Sequence, residues 1–114
     1  MVDDDPGFGS LAARILGSAG LEVVGTAADA ATAMAVAWSL KPDALLVDVG
    51  LPDRDGFDLA RELAALPWRP RVVLISSDRD AALRIAPAGA GEGTPFIPKE
   101  ELATAPLLRL LGPG

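Results

Sequence analysis

The most constraining feature of this 114-residue chain is the run Pro42-Asp43-Ala44-Leu45-Leu46-Val47-Asp48-Val49-Gly50-Leu51-Pro52-Asp53-Arg54-Asp55-Gly56, where an apolar segment ends on a carboxylate and breaks into a Pro/Gly-punctuated loop. Ala44 to Val47 is apolar without alternation, the pattern of a strand covered on both faces at the centre of a parallel sheet. Asp48 closes that strand. Ionised carboxylates are rarely buried unless paired or bound to a metal, and open α/β sheets collect ligands at the carboxyl ends of their strands. Asp48 is therefore either part of a ligand site or merely the residue that turns the chain into its loop.

The length suits one domain spanning 1–114. Half of the residues are hydrophobic, yet no apolar run approaches the roughly 20 residues that span a bilayer, so no membrane insertion is expected. No basic leader with an apolar region and cleavage site opens the sequence, and there is no cysteine, which points to the cytoplasm and excludes disulfides and thiolate chemistry. The net charge of −6 and the lack of a Lys/Arg cluster argue against direct nucleic-acid binding. With no histidine the commonest general base and transition-metal ligand are missing. Oxygen ligands remain, and these suit hard cations such as magnesium.

In chain order, Met1-Val2 is all that precedes Asp3-Asp4-Asp5-Pro6, so a first strand is almost entirely truncated. Asp5 followed by Pro6 predicts a helix opening, and Phe8, Leu11, Ala12, Ile15, Leu16 and Ala19 recur at helical spacing up to Gly20. Glu22 to Ala27 reads as a second strand. Asp29 caps a helix with Ala30, Ala33, Met34, Ala37 and Trp38 on one face, Met34 and Trp38 expected in the core, and Lys41-Pro42 ends it. A third helix is predicted from Gly56 to Leu66. Arg71 to Ser77 repeats the earlier pattern, an apolar strand ending on polar side chains, with Ser76 placed like Asp48. Ala81 to Ile85 suggests a short helix that the following Pro and Gly residues cannot continue. Thr94 to Lys99 makes a last strand and Glu100 to Leu111 a last helix.

Strand and helix alternate through five units, which implies a doubly wound α/β domain with right-handed crossovers. With strand order 2-1-3-4-5 the first and third strands are neighbours, so Asp3, Asp4 and Asp48 meet in one cleft. Two unit charges about 4 Å apart at an effective dielectric of 20 repel by roughly 4 kcal/mol. A divalent cation would offset that, and magnesium prefers one or two carboxylates, waters and a phosphate oxygen.

The acidic pair before a helix, Val-Asp followed by Leu-Pro-Asp-Arg-Asp-Gly, Ser-Ser closing a strand, and Phe-Ile-Pro-Lys together resemble a response regulator receiver domain over the whole chain. The resemblance implies a flavodoxin-like five-stranded parallel sheet and a role in two-component phosphorelay signalling. By matching position it makes Asp48 the phosphoacceptor, Asp3 and Asp4 the acidic pair, and Asp4, Asp48 and the main-chain carbonyl of Gly50 the magnesium ligands. Ser76 matches the hydroxyl that bonds the phosphoryl group, Lys99 the lysine that pairs with it, and Phe96 the aromatic switch position. It further implies a sensor histidine kinase or phosphotransfer protein as donor and a downstream effector protein as target, the domain catalysing only its own phosphorylation and dephosphorylation.

The family pattern is not met everywhere. The first strand lacks most of its length, and Glu92, Gly93 and Pro95 stand where the family usually shows a Gly-Ala pair and then Gly. Two rival functions follow. A receiver-like interaction module without phosphorylation keeps the fold alone. A magnesium-dependent phosphatase with an Asp nucleophile needs a second Asp two residues after Asp48, where this chain has Gly50.

Overall fold

A computed structural model of the chain describes residues 1–77 and 95–104 together with Leu107 and Leu111. The expected short helix at Ala81–Ile85 lies outside the described residues.

Three parallel strands, β1 (Ala44–Asp48), β2 (Arg71–Ser76) and β3 (Phe96–Pro98), pair in that order. The register sets Asp48 against Ile75 and Ile75 against Ile97, so all three carboxyl ends finish at one level. Three α-helices, α1 (Pro6–Ser18), α2 (Ala30–Leu40) and α3 (Gly56–Ala64), and a 3-10 helix, Lys99–Thr104, complete the described elements. One apolar layer joins Val2, Ala33, Ala37, Val47, Leu59 and Leu63; the other joins Ala12, Leu16, Leu46, Ile75, Ile97 and Leu102. The sheet is covered on both faces, as the unalternating strands require.

The expected five-strand order survives in reduced form. Val2 bridges in parallel to Val47 on one side and Ala27 on the other, which extends the sheet to Ala27, Val2, β1, β2, β3. The predicted strand at Glu22–Ala27 is absent apart from Ala27, because Met1 and Val2 offer it hardly any partner backbone.

Each helix start has a sequence cause. Asp5 accepts from the N–H groups of Gly7 (3.0 Å) and Phe8 (3.2 Å), with Pro6 in the first turn; Asp29 accepts from Thr32 (2.7 Å) and Asp55 from Phe57 (2.8 Å). Such caps each contribute about 1 kcal/mol. Gly20, at φ +89°, supplies the left-handed turn after α1. Two apolar assignments are corrected. Trp38 is 49% exposed: Ala30, Ala33 and Ala37 form the buried stripe and draw α2 close to the sheet, leaving Trp38 to pack edge-on against Trp68 at 5.5 Å. Leu11 is also exposed, while Ala12 and Leu16 carry the buried face of α1. The predicted last helix begins as the 3-10 turn Lys99–Thr104, with Leu107 and Leu111 helical and buried further on.

Candidate functional site

The site lies at the carboxyl end of the sheet and is built from three separate turns. The two-sided bridge of Val2 holds Asp3 and Asp4 at the end of the strand level: the Val2 N–H donates to the Leu46 carbonyl (2.7 Å) and the Asp48 N–H to the Val2 carbonyl (2.9 Å). Asp48 ends β1 and is 6% exposed; Asp3 is 9% exposed and Asp4 open to solvent. One carboxylate oxygen from each of Asp3, Asp4 and Asp48 lies within 4.8 Å of the others.

Lys99 comes from the third turn, directly after β3. Its Nζ is 2.7 Å from Asp3 Oδ2 and 3.3 Å from Asp48 Oδ2, and sits 4.5 Å from the centroid of the Phe8 ring. The remaining oxygens are tied to backbone: Asp3 Oδ1 accepts from the Asp5 N–H (2.8 Å) and Asp48 Oδ1 from the Gly50 N–H (3.1 Å). Burial raises the Asp48 carboxyl above its ordinary value, the Gly50 N–H and Lys99 pull it back, and Asp3 adds to the rise. Burial pulls Lys99 down, but Asp3 and Asp48 together outweigh that and hold its ammonium above the ordinary lysine value. Among the described residues, three carboxylates face one ammonium, which leaves the cleft short of positive charge.

The donor set fits a divalent cation. Oxygens of Asp3, Asp4 and Asp48 crowd within 4.8 Å, Asp3 Oδ2 is buried against the Lys99 ammonium at 2.7 Å, and each of these side-chain donors is a hard oxygen, the chemistry magnesium selects. Gly50 lies two residues beyond Asp48 in the same loop. Ser76 ends β2 one residue beyond the partner of Asp48 and is buried. Phe96 opens β3, half-buried, three residues before Lys99.

Three supporting residues were not visible in the linear pattern. Asp53 accepts from the N–H groups of Ala30 (2.8 Å) and Ala31 (3.2 Å), so the loop after Asp48 clamps the start of α2; nothing local marks a cap for a helix 23 residues upstream. A Cβ on Gly56 would lie 2.4 Å from the Asp48 carbonyl oxygen and 2.5 Å from Val49 Cα, so the loop can fold back under the acidic residue only with glycine there. Phe8 follows the helical stripe of α1 in sequence, yet its ring supports the ammonium of Lys99.

Comparison with known proteins gives the family. The response regulator receiver domain family matches residues 1–104, and the chain belongs to that family. It is 43% identical over 79 residues to the transcriptional regulatory protein PdtaR of Mycobacterium tuberculosis, covering 68% of this chain and 38% of that protein. It is 38% identical over 115 residues to protein-glutamate methylesterase/protein-glutamine glutaminase 5 of Myxococcus xanthus, covering 98% of this chain and 33% of that protein. The chain thus spans about a third of the length of these relatives. Among solved structures, the BeF3-activated receiver domain of Klebsiella pneumoniae RstA is 33% identical with a TM-score of 0.73, covering 96% of this chain and 88% of that one. A putative response regulator from Chloroflexus aurantiacus is 27% identical with a TM-score of 0.78, covering 98% and 94%. The chain is a receiver domain of the two-component type with the CheY-like α/β fold. Among the described residues no helix is long and apolar enough to cross a membrane.

Proposed function

We propose that Asp48 accepts a phosphoryl group in a magnesium-dependent reaction. The observation that carries this reading is the meeting of Asp3, Asp4 and Asp48 within 4.8 Å, with the ammonium of Lys99 3.3 Å from Asp48. A carboxylate oxygen of Asp48 attacks phosphorus; the bond from phosphorus to the donor's imidazole nitrogen or acyl oxygen breaks, and the leaving group keeps the electron pair. Asp4, Asp48 and the Gly50 carbonyl, with Asp3 alongside, would hold magnesium, which when bound neutralises charge on the phosphoryl oxygens. Lys99 supplies a positive charge of the chain's own beside Asp3 and Asp48. Ser76 bonds a phosphoryl oxygen afterwards, and its movement gives Phe96 room to turn inward and change the surface around β3.

The partners that fit are a histidine kinase or phosphotransfer protein as donor and an effector protein that reads the altered surface, with the cytoplasm as the setting. The domain then catalyses only reactions at its own Asp48.

The test is intact-mass measurement after incubation with magnesium and acetyl phosphate. One phosphoryl group is expected on the wild type and none on Asp48→Asn, which removes the nucleophile, or on Asp4→Ala, which removes a metal ligand. Labelling that survives Asp48→Asn would place the acceptor elsewhere. No labelling of folded wild type would favour an interaction module that is not phosphorylated.

A further inference from the structure

The amino end of the sheet, opposite the acidic cleft, carries a different chemistry. Two turns meet there, residues 41–43 ahead of β1 and residues 67–70 ahead of β2, side by side because Ala44 pairs with Arg71 and the Arg71 N–H donates to the Asp43 carbonyl (2.9 Å). A side chain staples them: the Trp68 indole N–H donates to the Pro42 carbonyl at 2.9 Å. Trp68 is half-buried against the core, and Trp38 stands edge-on to it with about half of its surface in solvent. The indole N–H of Trp38 has no acceptor among the described residues.

Both turns are strained in the same way. Among the described residues, Lys41 (φ 46°) and Arg69 (φ 49°) are the two non-glycine residues in the left-handed region, where Gly or Asn is usual. Each also precedes a proline, which steers its neighbour toward extended backbone. Glycine would relieve both positions, yet each holds a cation, and strain of this kind concentrates at functional surfaces. Both side chains are exposed, and neither has an ion-pair partner among the described residues. Arg71 and Asp43, exposed at the same end, balance in formal charge. Lys41 and Arg69 are thus a positive surplus around the indole pair, on a chain of net charge −6.

We propose that this surface docks an acidic segment of a partner protein, with an apolar side chain packed on Trp38 between carboxylates that pair with Lys41 and Arg69. Charge complementarity selects the occupant. A second copy docked by two-fold symmetry would set the same cations against each other, and two surplus cations on an acidic chain are too few for a phosphate backbone. Trp and Arg are the usual anchors of interfaces, and the stapled turns hold them in place before binding, which limits the ordering cost. Docking here leaves the cleft open. Asp48 closes the strand that Ala44 begins, ~13 Å away at ~3.3 Å per residue, farther than charges act through physiological salt.

Trp38 and Trp68 are the two tryptophans of the chain and there is no tyrosine, so intrinsic fluorescence reads this surface alone. The test titrates the 114-residue chain with the peptide acetyl-Asp-Glu-Leu-Glu-Asp-amide and, separately, with acetyl-Lys-Lys-Leu-Lys-Lys-amide. The acidic peptide should shift the emission saturably with a Kd below about 1 mM in ~50 mM salt and bind at least about threefold more weakly in ~300 mM salt; the basic peptide should leave the emission unchanged. Combining Lys41→Gly with Arg69→Gly removes both cations and relieves both backbones. That variant should melt no lower than the wild type yet bind the acidic peptide at least about fivefold more weakly. Emission that ignores the acidic peptide, an equal response to the basic one, or undiminished binding by the glycine variant overturns the proposal. Self-association of the wild type that the glycine variant loses assigns the surface to a second copy, and tighter binding of oligothymidylate than of the acidic peptide assigns it to single-stranded nucleic acid; either result also overturns it.

Discussion

Replacing Lys99 by methionine keeps an unbranched side chain of similar reach and removes the charge that lies over the Phe8 ring. At an effective dielectric near 20, an ammonium 2.7 Å from Asp3 and 3.3 Å from Asp48 is attracted by about 6 and about 5 kcal/mol. Desolvation of the buried groups offsets most of that gain. What the substitution exposes is the cost of leaving carboxylates uncompensated, about 3–5 kcal/mol when one partner of a buried pair is removed. The lower end, about 3 kcal/mol, is expected here because Asp4 keeps one side of the cluster open to water. Neutral pH is the right place to measure it. The folded pKa of Lys99 lies above the ordinary 10.5, so its stabilisation is complete at pH 7 and is lost only as pH rises through the folded value. Urea unfolding at low salt should show the deficit without magnesium. At magnesium tenfold above the variant's Kd the variant gains about 1.4 kcal/mol, against about 0.4 kcal/mol for a wild type that binds tenfold more weakly because its ammonium competes for the same carboxylates, so the deficit should narrow by about 1 kcal/mol. A deficit below about 0.5 kcal/mol, the range of an ordinary surface change, or one that ignores magnesium, would refute the view that Lys99 is the counterion of the cluster.

Gly56→Ala places a Cβ against backbone that cannot give way and should cost about 1–3 kcal/mol in urea unfolding while slowing labelling by acetyl phosphate; Gly9→Ala, where a Cβ meets nothing within 4 Å, should stabilise by about 0.5 kcal/mol. Phe8→Leu removes the ring under Lys99 and should cost about 1 kcal/mol, less than half of which should persist in the Lys99→Met background of a double-mutant cycle. Asp53 is held below the ordinary carboxylate value chiefly by the Ala30 N–H, so its contribution to stability is present above pH 3.8 and is lost as pH falls through the folded value. Asp53→Asn should therefore flatten the acid limb of melting temperature against pH, and an unchanged limb would show that the clamp on α2 carries no charge dependence.

Much of the fold was legible because local and tertiary demands coincide in this chain. Three of its helices begin at an aspartate whose side chain caps them, and β1 and β2 are apolar runs that end on polar residues, so pattern alone located both the elements and the level at which Asp48 and Ser76 emerge. Asp3 and Asp4 were legible for a different reason: a parallel sheet brings the ends of strands together however far apart they lie in sequence, whereas Lys99 was reached only through the family resemblance. The failures were of another kind. Trp38 is large and apolar, but the depth of α2 is set by its alanines, and only the packed distance reveals that. The second strand could not be read correctly from Glu22–Ala27, since a strand exists by virtue of its neighbour, and Val2 supplies pairing at Ala27 alone. Asp53, Gly56 and Phe8 act on groups distant in sequence or through close backbone approach, neither of which leaves a periodic trace.

The charge balance of the cleft also explains why events at Asp48 would reach β3. Lys99 has one ammonium and, as folded, divides it between Asp3 and Asp48, with the shorter distance to Asp3. On the proposed reading, a phosphoryl group on Asp48 adds oxygens bearing more charge than the carboxylate it modifies, and magnesium at Asp4 relieves the acidic pair; both changes draw Lys99 away from Asp3. That residue is poorly placed to respond by side-chain motion alone, because its ammonium lies over the Phe8 ring and its backbone starts the 3-10 helix immediately after β3. The pull is then taken up by the backbone between Lys99 and Phe96, a span of only three residues paired to β2 beside Ser76. On that reading, local electrostatics at one carboxylate would become displacement of a strand end without a long relay of packed side chains.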